Sequence, residues 1–463
     1  MHEDYFAPAS ERRRRTVDDL RTDYPSLEFD AERDAADRAE ASFIQASLDE
    51  FIARLNGRTP SAAFAWDNGS RERISPHPVY QREVYRTRSF DDLPTLNRAM
   101  LRTYPTPFDY EATAGSTVYT DRTSGTSGAP LTVYYSQTFM AQYLHLNMIK
   151  VALAGGIEGI GRRPVFSVRI TDNQAYKGGV VIPNPLDLVG LSVIHHVDVT
   201  QGEAFEELAR LLADLDPEVV IAKPNLHKIL LEHWEREGAE APIRPLMVVS
   251  GGAMLLDELR GRIGGFFGCP VISAYAISEA GYLGSECPRR HIHLDETVHE
   301  RFESVPVEGA AEDDTARGEL TVTSMSNDCM PLVRYRVGDL VDFTTESCAC
   351  GRPGPLLREL RGRTTIVFDL GNGFLLSPTR YMDMFKDNPE LVEYQLTQKQ
   401  RRSFHLGIEL RSGLAAHERE AALVRIRNTV EAGMPVPAEL TLEERVFEGE
   451  GAKFARFRSE VTA

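Results

Sequence analysis

The chain has 463 residues, 42% of them apolar and 26% charged, with a formal charge of −17. That make-up suits a globular protein of roughly two to four domains. The acidic balance excludes a general nucleic-acid binder, which needs a basic face. No apolar run reaches the roughly 20 residues that cross a bilayer, so no membrane association is expected.

The N-terminal stretch MHEDYFAPASERRRRTVDD has a basic run, Arg12–Arg15, with no apolar segment behind it, which is not a signal-peptide pattern. Five cysteines in a chain without a secretion signal do not suggest a disulfide framework, and a cytoplasmic location is expected. Residues 1–110 read as mostly helical, with proline-marked breaks at RISPHPVYQ and RTYPTPFDY. Next comes TDRTSGTSGAP, Thr120–Pro130, a hydroxyl- and glycine-rich loop between two segments that read as strands, Ser116–Tyr119 and Leu131–Ser136. Glycines let backbone amides approach an anion, and the hydroxyls add donors, so a phosphate cradle competes here with a plain turn. It is not a Walker A loop, because no G-x-x-x-x-G-K-[ST] occurs.

From Ser116 to about Ala280 strands alternate with helices. Strands are expected at Arg163–Ile170, Leu191–Val199, Glu218–Pro224, Pro245–Gly252 and Cys269–Ala276. Helices are expected at Glu203–Leu215, Asn225–Glu237 and Leu256–Phe267. Strands separated by helices of this length form parallel βαβ units, whose ligands gather at strand C-termini. SGGAML (Ser250–Leu255) and YAISEAG (Tyr275–Gly281) lie at such ends. Beyond Glu300 the texture turns to short strands, at Gly318–Ser326, Pro331–Phe343 and Thr364–Leu376. A last unit reads as α+β, with strands at Glu393–Gln400 and Ser403–Arg411 and a helix over Ala416–Gly433. The fold class is therefore α/β: a large N-terminal domain of parallel sheet and flanking helices over 1–364, and a small α+β domain over 365–463.

Five motifs follow one another in order: SGTSGAP, YAISE (Tyr275–Glu279), YRVGD (Tyr335–Asp339), GRTT (Gly362–Thr365) and GAKFARF (Gly451–Phe457). This series resembles the adenylate-forming superfamily of acyl-CoA synthetases, adenylation domains and luciferases. MPLVRYRVGDL (Met330–Leu340) and DLPTLNRAMLRTYP (Asp92–Pro105) are similar to segments of its phenylacetate–CoA ligase-like branch, and the resemblance runs over nearly the whole chain.

The resemblance implies ATP-dependent, AMP-forming activation of a carboxylic acid, aromatic or small, followed by transfer to a thiol, with coenzyme A the expected acceptor. A carrier-protein pantetheine or an amine is the alternative acceptor, and a nucleotide-binding module without activity is the alternative of another class. It assigns Thr123, Ser124, Gly125, Thr126, Ser127 and Gly128 to the β- and γ-phosphates of ATP. Relatives often carry lysine three residues after the last glycine, where this chain has Leu131. Tyr275 would lie on adenine, with Gly252 and Ala253 beside the nucleotide, Ser278 near the α-phosphate and Glu279 on Mg²⁺, a hard cation suited to a carboxylate. Asp339 would accept from the ribose hydroxyls, and Arg363 would contact ribose or phosphate. Lys453 would bridge the acyl carboxylate and the α-phosphate. The hinge position that usually holds Asp or Lys is Thr365 or Thr364. The acyl pocket is drawn from AKPN (Ala222–Asn225), SGGAM, Phe139, His145, Lys177, Tyr282 and Leu283. Homodimerisation is compatible with the resemblance and has no further support in the residues.

A second constellation is metallic. SECPRRHIHLDE (Ser285–Glu296) and ESCACGR (Glu346–Arg352) carry Cys287, His293, Cys348 and Cys350, the donor set of a closed tetrahedral structural zinc site. His291 is an alternative to His293, and unpaired structural thiols are the alternative to metal.

Overall fold

In a computed structural model of the chain the described residues are 49, 51, 53, 64–101, 118–122, 131–136, 139, 147–156, 166–171, 180–183, 191–197, 202–236, 238, 240–297, 300–305, 317–327, 329–363, 368–371, 375–376, 388, 390–434, 436–445 and 457–461. Residues 64–101 hold short helices, α1 (Asn68–Ile74), α2 (Glu83–Thr87) and α3 (Arg98–Leu101). Residues 1–110 read as mostly helical, and within this described stretch the helices are short. Its prolines and the exposed N-cap Asp67, which accepts from the Ser70 amide at 2.9 Å, break it into single turns.

A small hairpin, β1 (Val118–Arg122) with β2 (Thr132–Ser136), flanks the hydroxyl-rich loop, whose residues 123–128 lie outside those described. After α4 (Asn147–Ala154) the chain builds the parallel layer: β3 (Ser167–Thr171), β4 (Val180–Pro183), β5 (Leu191–His196), α5 (Gly202–Leu215), β6 (Val219–Ala222), α6 (Pro224–Arg236), β7 (Met247–Gly251), α7 (Asp257–Phe267) and β8 (Val271–Ile277). β5, β3, β6, β7 and β8 run parallel to one another in that order, as the alternation of strands and helices predicts, while β4 pairs antiparallel with β5 at the sheet's edge. Helical period drives the packing: Phe205, Leu208, Leu212 and Leu215 of α5 and Leu226, Leu230, Leu231 and Trp234 of α6 bury one face each in a shared core. Trp234 stacks on Phe266 of α7 at 6.0 Å between ring centroids.

After β8 the same sheet turns antiparallel through β9 (Gly281–Glu286), β10 (Ile292–Leu294), β11 (Glu300–Val305), β12 (Arg317–Ser324), β13 (Leu332–Thr344) and β14 (Leu356–Arg363). The twelve strands lie in the order β11-β12-β13-β14-β10-β9-β8-β7-β6-β3-β5-β4. β13 and β8 are four strand intervals apart, about 19 Å in a flat sheet. Yet the Tyr275 hydroxyl of β8 lies 2.7 Å from the Asp339 carboxylate of β13. The antiparallel half therefore curls over an apolar core that includes Tyr275, Leu283, Leu320, Val322, Tyr335 and Leu357.

The remaining strands are β15 (Phe368–Asp369), β16 (Leu375–Leu376), β17 (Leu391–Gln400), β18 (Ser403–Leu410), β19 (Glu439–Glu444) and β20 (Phe457–Ser459), with α8 (Ala416–Gly433) before β19. A four-stranded sheet, β19-β18-β17-β20, packs on α8 through Ala422, Ile426 and Val430, spaced four apart on one helix face. Its core also takes Phe368 and Leu370. Lys228 of α6 meets Glu409 of β18 at 2.7 Å, with both side chains mostly buried, and joins the small sheet to the helices of the large one. Among the described residues no helix is long and apolar enough to cross a membrane.

Candidate functional site

The C-terminal edge of the parallel layer positions the first group of side chains. β7 ends at Gly251, whose backbone pairs with Ala274, the residue before Tyr275, and Gly252 and Ala253 follow directly. Gly252 has φ +76°, a conformation that a side chain resists, and this lets the chain leave the strand sharply. β8 carries Tyr275 and ends at Ile277, and Ser278 and Glu279 form the turn into β9. Tyr135 of β2 donates its hydroxyl to the Ser278 carbonyl at 2.9 Å. The strand that follows the hydroxyl-rich loop is thereby tied to the turn that carries Glu279.

Glu279 is 5% exposed, an expensive place for a carboxylate without partners. Its Oε1 accepts from Arg98 Nη1 at 3.1 Å and from the Tyr335 hydroxyl at 3.1 Å. Arg98 sits in α3, within DLPTLNRAMLRTYP, and the backbone just before it is stitched to β13: Leu96 N–H donates to Arg334 O and Arg336 N–H donates to Leu96 O, both at 2.9 Å. Arg334 has φ +50°, and its guanidinium donates to the carbonyls of Asp91 and Leu93 at 2.7 and 2.6 Å and meets Glu303 at 3.2 Å. The surrounding bonds thus over-determine the strained residue that precedes Tyr335.

YRVGD supplies the other acid. Gly338, at φ +87°, bends β13 just before Asp339, and its N–H donates to Glu319 at 3.0 Å. Asp339 Oδ2 accepts the Tyr275 hydroxyl at 2.7 Å. Asp339 and Arg363 are direct partners in the β13–β14 register, so the two residues expected at one ribose face each other on adjacent strands. The Arg363 side chain, Thr123–Gly128, His145, Lys177, Thr364, Thr365 and Lys453 lie outside the described residues. Of the acyl-pocket candidates, Phe139 stacks on Tyr135 at 5.5 Å, Leu283 packs in the core at 1% exposure, and Tyr282 donates to Ser285 Oγ at 2.9 Å.

The structure brings Tyr275, Glu279 and Asp339 together. It also adds Arg98 and Tyr335, to which sequence reasoning gave no role. Both stood in quoted segments, and their signal was a cation and a phenol beside motifs that carry acids.

The metal constellation assembles as well. Cys287 follows β9, His293 lies on β10, and Cys348 and Cys350 occupy the turn after β13, with all four donor atoms within 4.8 Å of one another. Cys287 and Cys348 sulfurs are 3.9 Å apart, and Cys350 Sγ lies 3.3 Å from His293 Nε2. A tetrahedron with Zn–S near 2.3 Å has sulfur–sulfur edges of about 3.8 Å, so the set fits zinc. Backbone N–H groups of Arg289, Cys350 and Arg352 point at the three sulfurs at 3.3, 3.5 and 3.5 Å, as suits thiolate charge. Burial, reinforced by Arg352, lowers the His293 imidazole to about 4, leaving it neutral, as a ligand must be. Burial opposes charge on Cys348, but the Cys350 amide and His291 bring its thiol to about 7. Burial, with the Cys348 and Cys287 sulfurs nearby, holds Cys350 near 11. His291 Nδ1 lies 3.4 Å from the Cys348 sulfur, beside the four-ligand set rather than in it.

No family model matches the chain. It is 25% identical over 281 residues to the phenylacetate–coenzyme A ligase of Thermus thermophilus, covering 59% of this chain and 60% of that protein. It is 24% identical over 349 residues to the enzyme of the same name from Pseudomonas putida, covering 73% and 75%. The match therefore spans about 60% of the length of the Thermus relative. Among solved structures, 2-hydroxyisobutyryl-CoA ligase in the postadenylation state superposes with TM-score 0.62 at 15% identity, over 99% of this chain and 95% of that one. In sequence the chain is similar to phenylacetate–coenzyme A ligases, and in fold to 2-hydroxyisobutyryl-CoA ligase.

Proposed function

We propose that the protein activates a carboxylic acid with ATP and passes the acyl group to a thiol, with coenzyme A as acceptor. The observation that carries this reading is the meeting of YAISE and YRVGD. Two motifs 64 residues apart at their bonded residues close on one site, with Tyr275 on Asp339 at 2.7 Å and Glu279 buried beside them. Kinship with phenylacetate–coenzyme A ligases supports it.

In the first half-reaction a carboxylate oxygen of the acid attacks the α-phosphorus. The bond to the bridging oxygen breaks, pyrophosphate leaves, and an acyl–AMP anhydride remains. Tyr275 presents a ring face for adenine and Asp339 an acceptor for the ribose hydroxyls. Glu279 would hold Mg²⁺, which offsets charge on the phosphates. Leu131 leaves the phosphate loop without the lysine of many relatives, so its grip rests on the amides and hydroxyls of Thr123–Gly128. Lys453 would balance charge developing on the attacking carboxylate and the α-phosphate. In the second half-reaction the thiol sulfur attacks the acyl carbon, the bond to AMP breaks, and the thiol proton is released.

A division into 1–364 and 365–463 suits this chemistry, because each half-reaction needs its own groups at the anhydride. The separate core of the last sheet supports it. We read the cysteine–histidine cluster as a structural zinc centre, closed by four protein donors and without a position for chemistry. A cytoplasmic setting suits five unbridged cysteines.

The test is exchange of labelled pyrophosphate into ATP across a panel of aryl and short aliphatic acids, repeated with coenzyme A or hydroxylamine to trap the product. Acid-dependent exchange and a thioester are expected. Nucleotide binding without exchange for any acid would favour an inactive binding module.

A further inference from the structure

The two motifs share a pattern, Y-x-x-x-E at Tyr275–Glu279 and Y-x-x-x-D at Tyr335–Asp339, and the fold crosses them. Tyr275 donates to the acid of the other motif, Asp339, at 2.7 Å. Tyr335 donates to the acid of the first, Glu279, at 3.1 Å. Each acid thus takes a phenol from a strand four intervals away in the curled sheet. We propose that this reciprocal pair is a positioning device for the nucleotide: the Tyr275 hydroxyl sets Asp339 for the ribose, and the Tyr335 hydroxyl sets Glu279 for Mg²⁺. It rests on the roles given to the two acids above and goes beyond them, because it assigns each tyrosine hydroxyl to the opposite motif.

Three observations carry it. First, both phenols are buried, Tyr275 at 8% and Tyr335 at 1% exposure, so their bonds compete little with water and hold an orientation. Second, each bond is to a carboxylate, the stronger class of hydrogen bond. Third, the backbone around Tyr335 is pinned by the bridge to Leu96 and by the Arg334 bonds, so its hydroxyl is a fixed reference for Glu279. A carboxylate that must find its rotamer after the nucleotide arrives loses binding free energy to ordering, and one already held does not. Arg98 shares Glu279 Oε1 and offsets its charge. The phenol adds direction.

The test is crosswise and uses Tyr275→Phe and Tyr335→Phe, which keep the rings. Pyrophosphate exchange gives kcat/KM for ATP against 2′-deoxy-ATP and 3′-deoxy-ATP, and the half-saturating Mg²⁺ concentration. Calorimetry of AMP against 2′-deoxy-AMP repeats the ribose comparison without turnover. Tyr275→Phe should shrink the ribose discrimination about tenfold, the scale of one hydrogen bond to a charged group, and leave the Mg²⁺ requirement in place. Tyr335→Phe should raise the Mg²⁺ requirement about tenfold and leave ribose discrimination in place. Equal losses of both properties in both variants, tracking lowered melting temperatures, would show a structural role only and overturn the inference. A lowered Mg²⁺ requirement in Tyr335→Phe would overturn it too, because the phenol would then compete with the ion. Wild-type protein that binds no adenine nucleotide would remove the reading of the site, and this inference with it. Nucleotide binding with an uncrossed pattern would remove the inference alone.

Discussion

Loss of the metal centre should cost stability and spare chemistry, and the structure sets the size of both effects. The perturbation is removal of zinc by a strong chelator, or Cys350→Ser. Zinc held there would join Cys287 to Cys348, 61 residues apart. As a cross-link it removes closure entropy from the unfolded chain worth about 4 kcal/mol by the loop-length relation for covalent bridges. At roughly 2–4 °C per kcal/mol for a cooperative unit of a few hundred residues, the melting temperature should fall by about 10 °C. β9 separates the cluster from the Glu279 turn by six residues, about 20 Å of extended strand, so pyrophosphate exchange at low temperature should survive. Elemental analysis should find about one zinc per chain, as a single tetrahedral site holds, and scanning calorimetry compares holo, stripped and variant protein. A purified protein without metal would refute the reasoning, as would a stripped protein that melts with the holo form.

Two further outcomes are expected. Lys453→Ala should abolish adenylation while thioester formation from supplied acyl–AMP persists, measured as separate half-reactions; equal loss of both would refute the role given to that lysine. Where α6, α7 and β18 meet, Glu232, Glu235, Glu258 and Glu409 gather around Lys228 and Arg262, and burial first, then Glu409 against the pull of Arg262, raises the Glu258 carboxyl above its ordinary 4.5. The folded state therefore holds that proton more tightly than the unfolded chain, and the stability it supplies is full below 4.5 and lost as pH rises through the folded value. Glu258→Gln keeps the protonated shape, so it should raise the melting temperature at neutral pH, with the gain vanishing below pH 4.5; a gain equal at both ends of the range would sink this account.

The parallel layer was legible because its signals are local. α5, α6 and α7 begin and end within a residue or so of the stretches where apolar side chains repeat at helical spacing, and α8 spans Ala416–Gly433 as the pattern predicts. β9 and β10 were not legible: GYLGSE is glycine-rich, IHL is three residues long, and both exist through antiparallel partners supplied by β8 and β14. Residues 64–101 fell within a stretch read as mostly helical, but the individual short helices were not legible, since tertiary packing rather than periodicity holds them.

At the site, the residues alone determined the chemical inventory. It comprises a hydroxyl-rich loop, acids at Glu279 and Asp339, a ring at Tyr275, and thiols and imidazoles in two short runs. Side-chain type and spacing are written in the chain, and the chemistry they can perform follows from them. Tertiary structure alone decided the partners. It selected His293 over His291 for the metal set, paired Asp339 with Arg363 across two strands, brought Arg98 onto Glu279, and crossed the two tyrosines onto each other's acids. The physical reason is the curl of the sheet. Hydrogen-bond partners are set by distances of about 3 Å, and a flat sheet would have held β8 and β13 about 19 Å apart.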